Sequence, residues 1–301
     1  VWIVFVLFSA IGLGFYDIAQ KVSLRDNAVL PVLFFSIVST AVLLTPVLLL
    51  SRFGGVLCGT PFYVPPADLR THLYIILKSC IVLTAWLFLY AGMKHLPLTL
   101  VEPIKATQPI FTVVGAMLIF AERLNGYQAV GVVITLLCFY LFSVVGKKEG
   151  LSFRRNKWVW CLILGTLANA GSALYDKYLM HQFNRMTVQV YYSYYQVLAM
   201  GVITWVLWYR KRSVGGGVTP FRWRWSVVMI GAFLCCSDFL YFYALSIPGS
   251  LVSVVSTFRN AGQLLPFAYG AFFFKEKNLK WKVFCLIGAL SGIYFLFLGS
   301  W

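Results

Sequence analysis

Ten apolar runs divide this chain, at about 1–24, 28–51, 72–95, 99–121, 126–146, 158–182, 186–209, 223–246, 250–274 and 279–300. Each is long enough to cross a ~30 Å hydrocarbon core as a helix rising ~1.5 Å per residue. The expectation is an all-α membrane protein with ten transmembrane helices. Charged residues are 11% of the 301 residues against about 25% in a soluble domain, so no water-soluble domain of useful size is left over. The opening run is too long for a signal-peptide core, and no cleavable signal is expected.

The net charge of +16 invites a nucleic-acid reading, but the basic residues sit in short loops between apolar runs. That placement encodes membrane topology, so no nucleic acid is expected as a partner. Sixteen loop cations, among them Arg25, Lys94, Lys147, Arg154 and Arg210, fall on one side. Only Arg52, Arg70, Arg123 and Arg185 fall on the other. The basic loops are therefore expected in the cytosol and both termini outside it, in a multi-pass protein of the plasma or inner membrane. Seven cysteines show neither a zinc spacing nor a disulfide framework, and six of them lie within apolar runs as small hydrophobes.

The two sides of the basic linker 147–157 resemble each other. Tyr16-Asp17 in GFYDIAQK returns as Tyr175-Asp176 in SALYDKYL. Further on, 99–124 (TLVEPIKATQPIFTVVGAMLIFAERL) returns at 250–277 (SLVSVVSTFRNAGQLLPFAYGAFFFKEK), and adding 154 takes Lys105 to Arg259 and Glu122 to Glu276. Five crossings per half is an odd number, so the halves 1–146 and 158–301 are expected as two inverted five-helix repeats. A site is expected between them near mid-membrane.

Lys105 and Arg259 are the centre of that site. A lysine inside an apolar span costs on the order of 2.5–3.5 kcal/mol, which makes it a functional candidate. Arg can grip a carboxylate or phosphate through its planar fork, while Lys acts as a mobile point charge. The alternative is internal pairing: Lys105 with Glu102 one turn away, and Arg259 with Asp238. Asp17 and Asp176, with Lys21 one turn after the first and Lys177 directly after the second, read as gating or coupling groups or as ion pairs near helix ends. Lys78 is expected to snorkel to the nearby interface.

Tyr191-Tyr192-Ser193-Tyr194-Tyr195-Gln196 is the densest aromatic stretch. Residues 192, 195 and 196 share a face that could stack on a ring or simply pack, and Trp86 with Tyr90 forms a similar stripe. Glu122 and Glu276 end long apolar helices and read as interfacial. Gly288 and Gly292 form a small-residue packing face.

At IKATQPIFT, 104–112, the sequence resembles the drug/metabolite transporter superfamily, with Pro109, Phe111 and Glu122 of the EamA-type fourth helix and Gly126 and Gly131 of its fifth. More locally, Ile104-Lys105-Ala106 and Pro109-x-Phe111 resemble the triose-phosphate and nucleotide-sugar translocator branch. That resemblance implies a lysine on the substrate phosphate, here Lys105, assisted by a basic residue on the ninth helix, here Arg259. Asn260 stands where that branch often carries a second cation.

No P-loop, catalytic triad or acid cluster for a metal is present, so the chain is expected to be neither an ATP-driven pump nor an enzyme, and to need no cofactor. The leading expectation is a secondary transporter of a small anionic metabolite, phosphorylated or carboxylated, working by alternating access. A carrier of neutral or zwitterionic solutes, such as amino acids or drug-like amines, is the alternative, with Lys105 and Arg259 held by Glu102 and Asp238. A lipid-flipping protein is a further one. The partners expected are the solute and the lipid bilayer, and a homodimer is compatible with the sequence.

Overall fold

A computed structural model describes residues 2–54, 56–105, 107–121, 156–213, 219–260, 262, 264–273 and 279–299, with 125–127, 129–131, 133–134, 137–138 and 141. Twelve α-helices are assigned among them. The first half holds α1 (Trp2–Leu24), α2 (Val29–Leu49), α3 (Leu69–His95), α4 (Leu98–Lys105) and α5 (Gln108–Phe120). The second holds α6 (Lys157–Gln182), α7 (Arg185–Thr204), α8 (Arg210–Ser213), α9 (Trp225–Ser246), α10 (Val252–Asn260), α11 (Leu264–Phe273) and α12 (Leu279–Leu298). Five of the described helices are long and apolar enough to cross a membrane: Trp2–Leu24, Val29–Phe53, Leu69–His95, Lys157–Gln182 and Trp225–Ser246. Most of the expected fifth run, 126–146, lies outside the described residues, as do Glu122 and Glu276.

The starts of several helices are written in their caps. Asp68 accepts the Thr71 amide at 3.0 Å ahead of α3, and Asn156 accepts the Trp158 amide at 2.9 Å ahead of α6. Asn184 accepts the amides of Met186 and Thr187 ahead of α7. Each satisfies a donor that has no partner inside the helix. The hydrogen bonds from Thr71 hold the Asp68 carboxyl below its ordinary value of 3.8.

Two expected continuous spans are broken. The run 99–121 folds as α4 and α5 with an interruption after Lys105, and the run 250–274 as α10 and α11 with an interruption after Asn260. In the first case Pro109 lies in the first turn of α5, where its missing N–H costs nothing and its fixed φ suits the start of a new helix. In the second, Gly262 lies against α1: a β-carbon there would stand 2.0 Å from the Ala10 carbonyl oxygen. One added to Gly14 would stand 2.6 Å from the Gly262 carbonyl oxygen. The chain approaches α1 backbone to backbone, which only glycine permits.

Helices of one half pack chiefly on helices of the other. The most extensive pairings are α1 with α9 and α3 with α6, joined by α2 with α7, α2 with α9, α3 with α7 and α5 with α10. On the first of these, Ser9 and Ser237 exchange hydroxyl-to-carbonyl bonds of 2.8 Å in both directions. Such reciprocal bonds hold two helices together where apolar burial supplies little driving force, since the competing lipid is equally apolar.

Candidate functional site

Charged side chains buried in apolar helices must find partners, and here they converge on one cavity of about 90 Å³ between the two halves. Its charged lining is three carboxylates, Asp17, Asp176 and Asp238, and three cations, Lys78, Lys105 and Arg259. The aromatic lining is Tyr16, Trp86, Tyr192, Tyr241 and Phe242. One face of α3 supplies Lys78, Val82, Trp86, Leu89 and Met93 at spacings of three and four. The cavity therefore follows that helix for about 22 Å at ~1.5 Å per residue.

Lys105 ends α4 at the first helix break. Its Nζ stands 2.6 Å from Asp17 Oδ1 and 3.4 Å from Glu102 Oε2. Glu102 is thus within ion-pair reach, as the internal-pairing alternative has it, but the nearer carboxylate, Asp17, comes from α1. Glu102 is 2% exposed, behind the cavity wall rather than in it.

Arg259 lies in the last turn of α10 beside the second break and pairs with Asp238, as the internal-pairing reading has it. Its guanidinium lies 4.2 Å from the Tyr241 ring centroid. Asp238 Oδ2 also accepts the Tyr192 hydroxyl at 2.6 Å. Asn260 ends α10, and its side chain lies outside the described residues.

Three sequence expectations are corrected. Lys78 does not reach the interface: it is 2% exposed and pairs with Asp176 of α6. A snorkelling side chain needs a short path to water, and Lys78 stands nine residues into α3, about 13 Å from the helix start. Asp17 is matched with Lys105 rather than with Lys21. Lys21 instead donates to the carbonyl oxygens of Met93 and Leu96 at 2.8 and 2.7 Å, closing the C-terminal end of α3. Lys177 follows Asp176 in sequence but lies over the Phe120 ring, 5.1 Å from its centroid.

Trp86 and Tyr192 line the cavity, whereas Gln196 is buried on α7 outside that lining, with its amide nitrogen unbonded among the described residues. Sequence reasoning missed Lys78, Tyr241 and Phe242 as parts of the site. The signal for Lys78 was its depth in a helix that begins at Leu69 rather than at residue 72. No cluster of three or more metal-ligating side chains occurs among the described residues.

Residues 1–144 match the model of the EamA-like transporter family. The chain is also similar to a solved structure described only as "Crystal structure of protein", with a TM-score of 0.67 at 14% identity. That likeness covers 97% of this chain and 95% of the other, and at such identity it shows the fold alone. No curated protein matches.

Proposed function

We propose, on the premise that an EamA-like transporter family matches its first half, that this chain is a secondary transporter of small zwitterionic solutes working by alternating access. The matched family is one of membrane transporters, which supports reading the chain as a membrane transporter rather than an enzyme. Two inverted five-helix halves, 1–146 and 158–301, joined by the basic linker 147–157, are the architecture this reading takes. The reciprocal pairings support it: α1 meets α9 as α6 meets α3, and α2 meets α9 as α7 meets α3. Discontinuous helices at matched places in two halves are a further mark of carriers with a mid-membrane site. The cation-rich loops support a cytosolic placement for that side of a multi-pass cell-membrane protein.

The observation that carries the substrate class is charge balance. Each cation lining the cavity is matched with a carboxylate, Lys78 with Asp176, Lys105 with Asp17 and with Glu102 behind the wall, and Arg259 with Asp238, so no cation is left over for an anion. An anion entering such a site must leave a buried carboxylate without its cation, which costs about 3–5 kcal/mol per broken pair. A zwitterion brings both charges and exchanges partners with one ion pair at no net change. Amino acids and similar amines are the solutes that chemistry fits.

A second reading, a phosphorylated or carboxylated anion, is favoured by one observation: Lys105 and Arg259 line the same cavity, one beside each helix break. Purified protein in liposomes, offered phosphorylated, carboxylated and zwitterionic solutes of similar size, separates the two. Uptake of the zwitterion at least ~10-fold faster than of its anionic analogues is expected, one decade corresponding to about 1.4 kcal/mol. Preferential uptake of the phosphorylated or carboxylated solute would replace this reading by the second.

A further inference from the structure

We propose that Asp176, Tyr192 and Phe242 form an ammonium-binding socket, and that Lys78 occupies it as a built-in stand-in for the amino group of a solute. The socket and its plug come from different halves of the chain. Lys78 projects from α3, while Asp176 stands on α6, Tyr192 on α7 and Phe242 on α9. The ammonium is ion-paired with Asp176 and lies 4.9 Å from the ring centroids of both Tyr192 and Phe242. A carboxylate flanked by two aromatic faces is how proteins recognise alkylammonium groups in a desolvated place. All four residues line the cavity, and Lys78 and Asp176 have side chains only 2% and 7% exposed.

The other two ion pairs are built differently. Lys105 and Asp17 both belong to the first half, and Asp238 and Arg259 both belong to the second. Only Lys78–Asp176 ties the halves together among the described cavity pairs. A lysine suits a removable plug, because its ammonium is a point charge on a flexible four-carbon stem rather than a fixed fork. A place for the solute's other end lies next to it. The Tyr192 hydroxyl donates to Asp238, the partner of Arg259, so socket and guanidinium are one tyrosine side chain apart. An incoming amino group would take the Lys78 position and leave the carboxylate within reach of Arg259. Cargo in the socket then releases the tie between the halves. The inference rests on the zwitterion reading only in assigning the amino end of the solute to this place.

The test uses the full chain in nanodiscs with n-propylammonium as the probe, titrated by calorimetry. A socket filled by its own lysine more than nine-tenths of the time lowers apparent affinity at least ~10-fold, so Lys78→Met is expected to bind the probe at least ~10-fold tighter. Adding Asp176→Asn to that variant is expected to abolish the gain. Unchanged binding in Lys78→Met, or full binding in the double variant, overturns the proposal. Should Lys78→Met not fold, Lys78→Gln takes its place, removing the ammonium while keeping a polar side chain. It is expected to show the same gain of at least ~10-fold in probe affinity, and no gain overturns the proposal. Probe binding without any zwitterion uptake in liposomes would remove the transport reading and keep the socket. Zwitterion uptake indifferent to Asp176→Asn would remove the socket and keep the transport reading.

Discussion

Asp17 and Asp176 follow the same tyrosine context in the two halves, yet they end in different situations. Asp17, 1% exposed, takes Lys105 from its own half, and that lysine is shared with Glu102. Asp176 takes Lys78 from the opposite half, and Lys78 has no other carboxylate among the described residues. Two positions matched in sequence thus differ in what their loss exposes. Where one cation serves two acids, removing an acid leaves a pair. Where one cation serves one acid, it leaves a bare buried charge.

The largest effect should come from breaking the second arrangement. Asp176→Ala is expected to destabilise by about 3–5 kcal/mol, because Lys78 stays buried and uncompensated. Asp17→Ala is expected to lose less, roughly 1–3 kcal/mol, since Glu102 still faces Lys105. Thermal unfolding of the detergent-solubilised variants checks this, and equal losses would break the comparison.

The next effect sharpens it from the cation side. Arg259→Lys removes the planar fork that grips Asp238 and a solute carboxylate, and transport is expected to fall at least ~30-fold. Initial uptake rates in liposomes measure this. Lys105→Met combined with Glu102→Gln leaves Asp17 bare, so that pair should lower stability, and adding Asp17→Asn should restore it by roughly 1–3 kcal/mol.

A smaller effect concerns the close crossing that lets the second break reach α1. Gly262→Ala places a β-carbon 2.0 Å from a backbone oxygen that cannot move aside. Overpacking of this kind costs about 1–3 kcal/mol. Gly171→Ala, with nothing within 4 Å of the added carbon, is expected to be neutral or slightly stabilising. Unfolding midpoints of the two variants should therefore move apart.

The smallest effect lies at the Asp68 cap. Its carboxyl is held below 3.8 in the folded protein by the bonds from Thr71, so the stabilisation it gives is present above that value. It fades as pH falls through the lower folded value. The unfolding difference between the native chain and Asp68→Ala should be slight at neutral pH and shrink toward zero in strong acid. A difference that grows in acid would contradict the capping geometry.

Five of the expected spans were legible because apolar runs of that length have few alternatives. Lys105, Arg259, Asp17 and Asp176 were legible because charges inside such runs are scarce. Asp238 as the partner of Arg259 was legible as well, whereas Asp17 and Asp176, each with a lysine close by in sequence, took their cations from other helices. Lys21 illustrates the error: it stands one turn from Asp17 but reaches the last carbonyls of α3. The helix breaks were hinted at by Pro109 and by the Gly262 region, but a proline in an apolar run reads as a kink as readily as an interruption. Lys78 was misjudged because its depth depends on where α3 begins, and the start is set by the Asp68 cap outside the apolar run.

The central claim, a charge-balanced cavity that carries a zwitterion, is tested most directly by transport under an imposed membrane potential. In proteoliposomes, the uptake rate of a small neutral amino acid should be unchanged within about twofold when a potential of either sign is applied, because no net charge crosses. Moving one elementary charge is worth ~2.3 kcal/mol per 100 mV. A carrier that moved its solute as a net anion would therefore change its rate by an order of magnitude or more between opposite potentials, and that result would contradict the account.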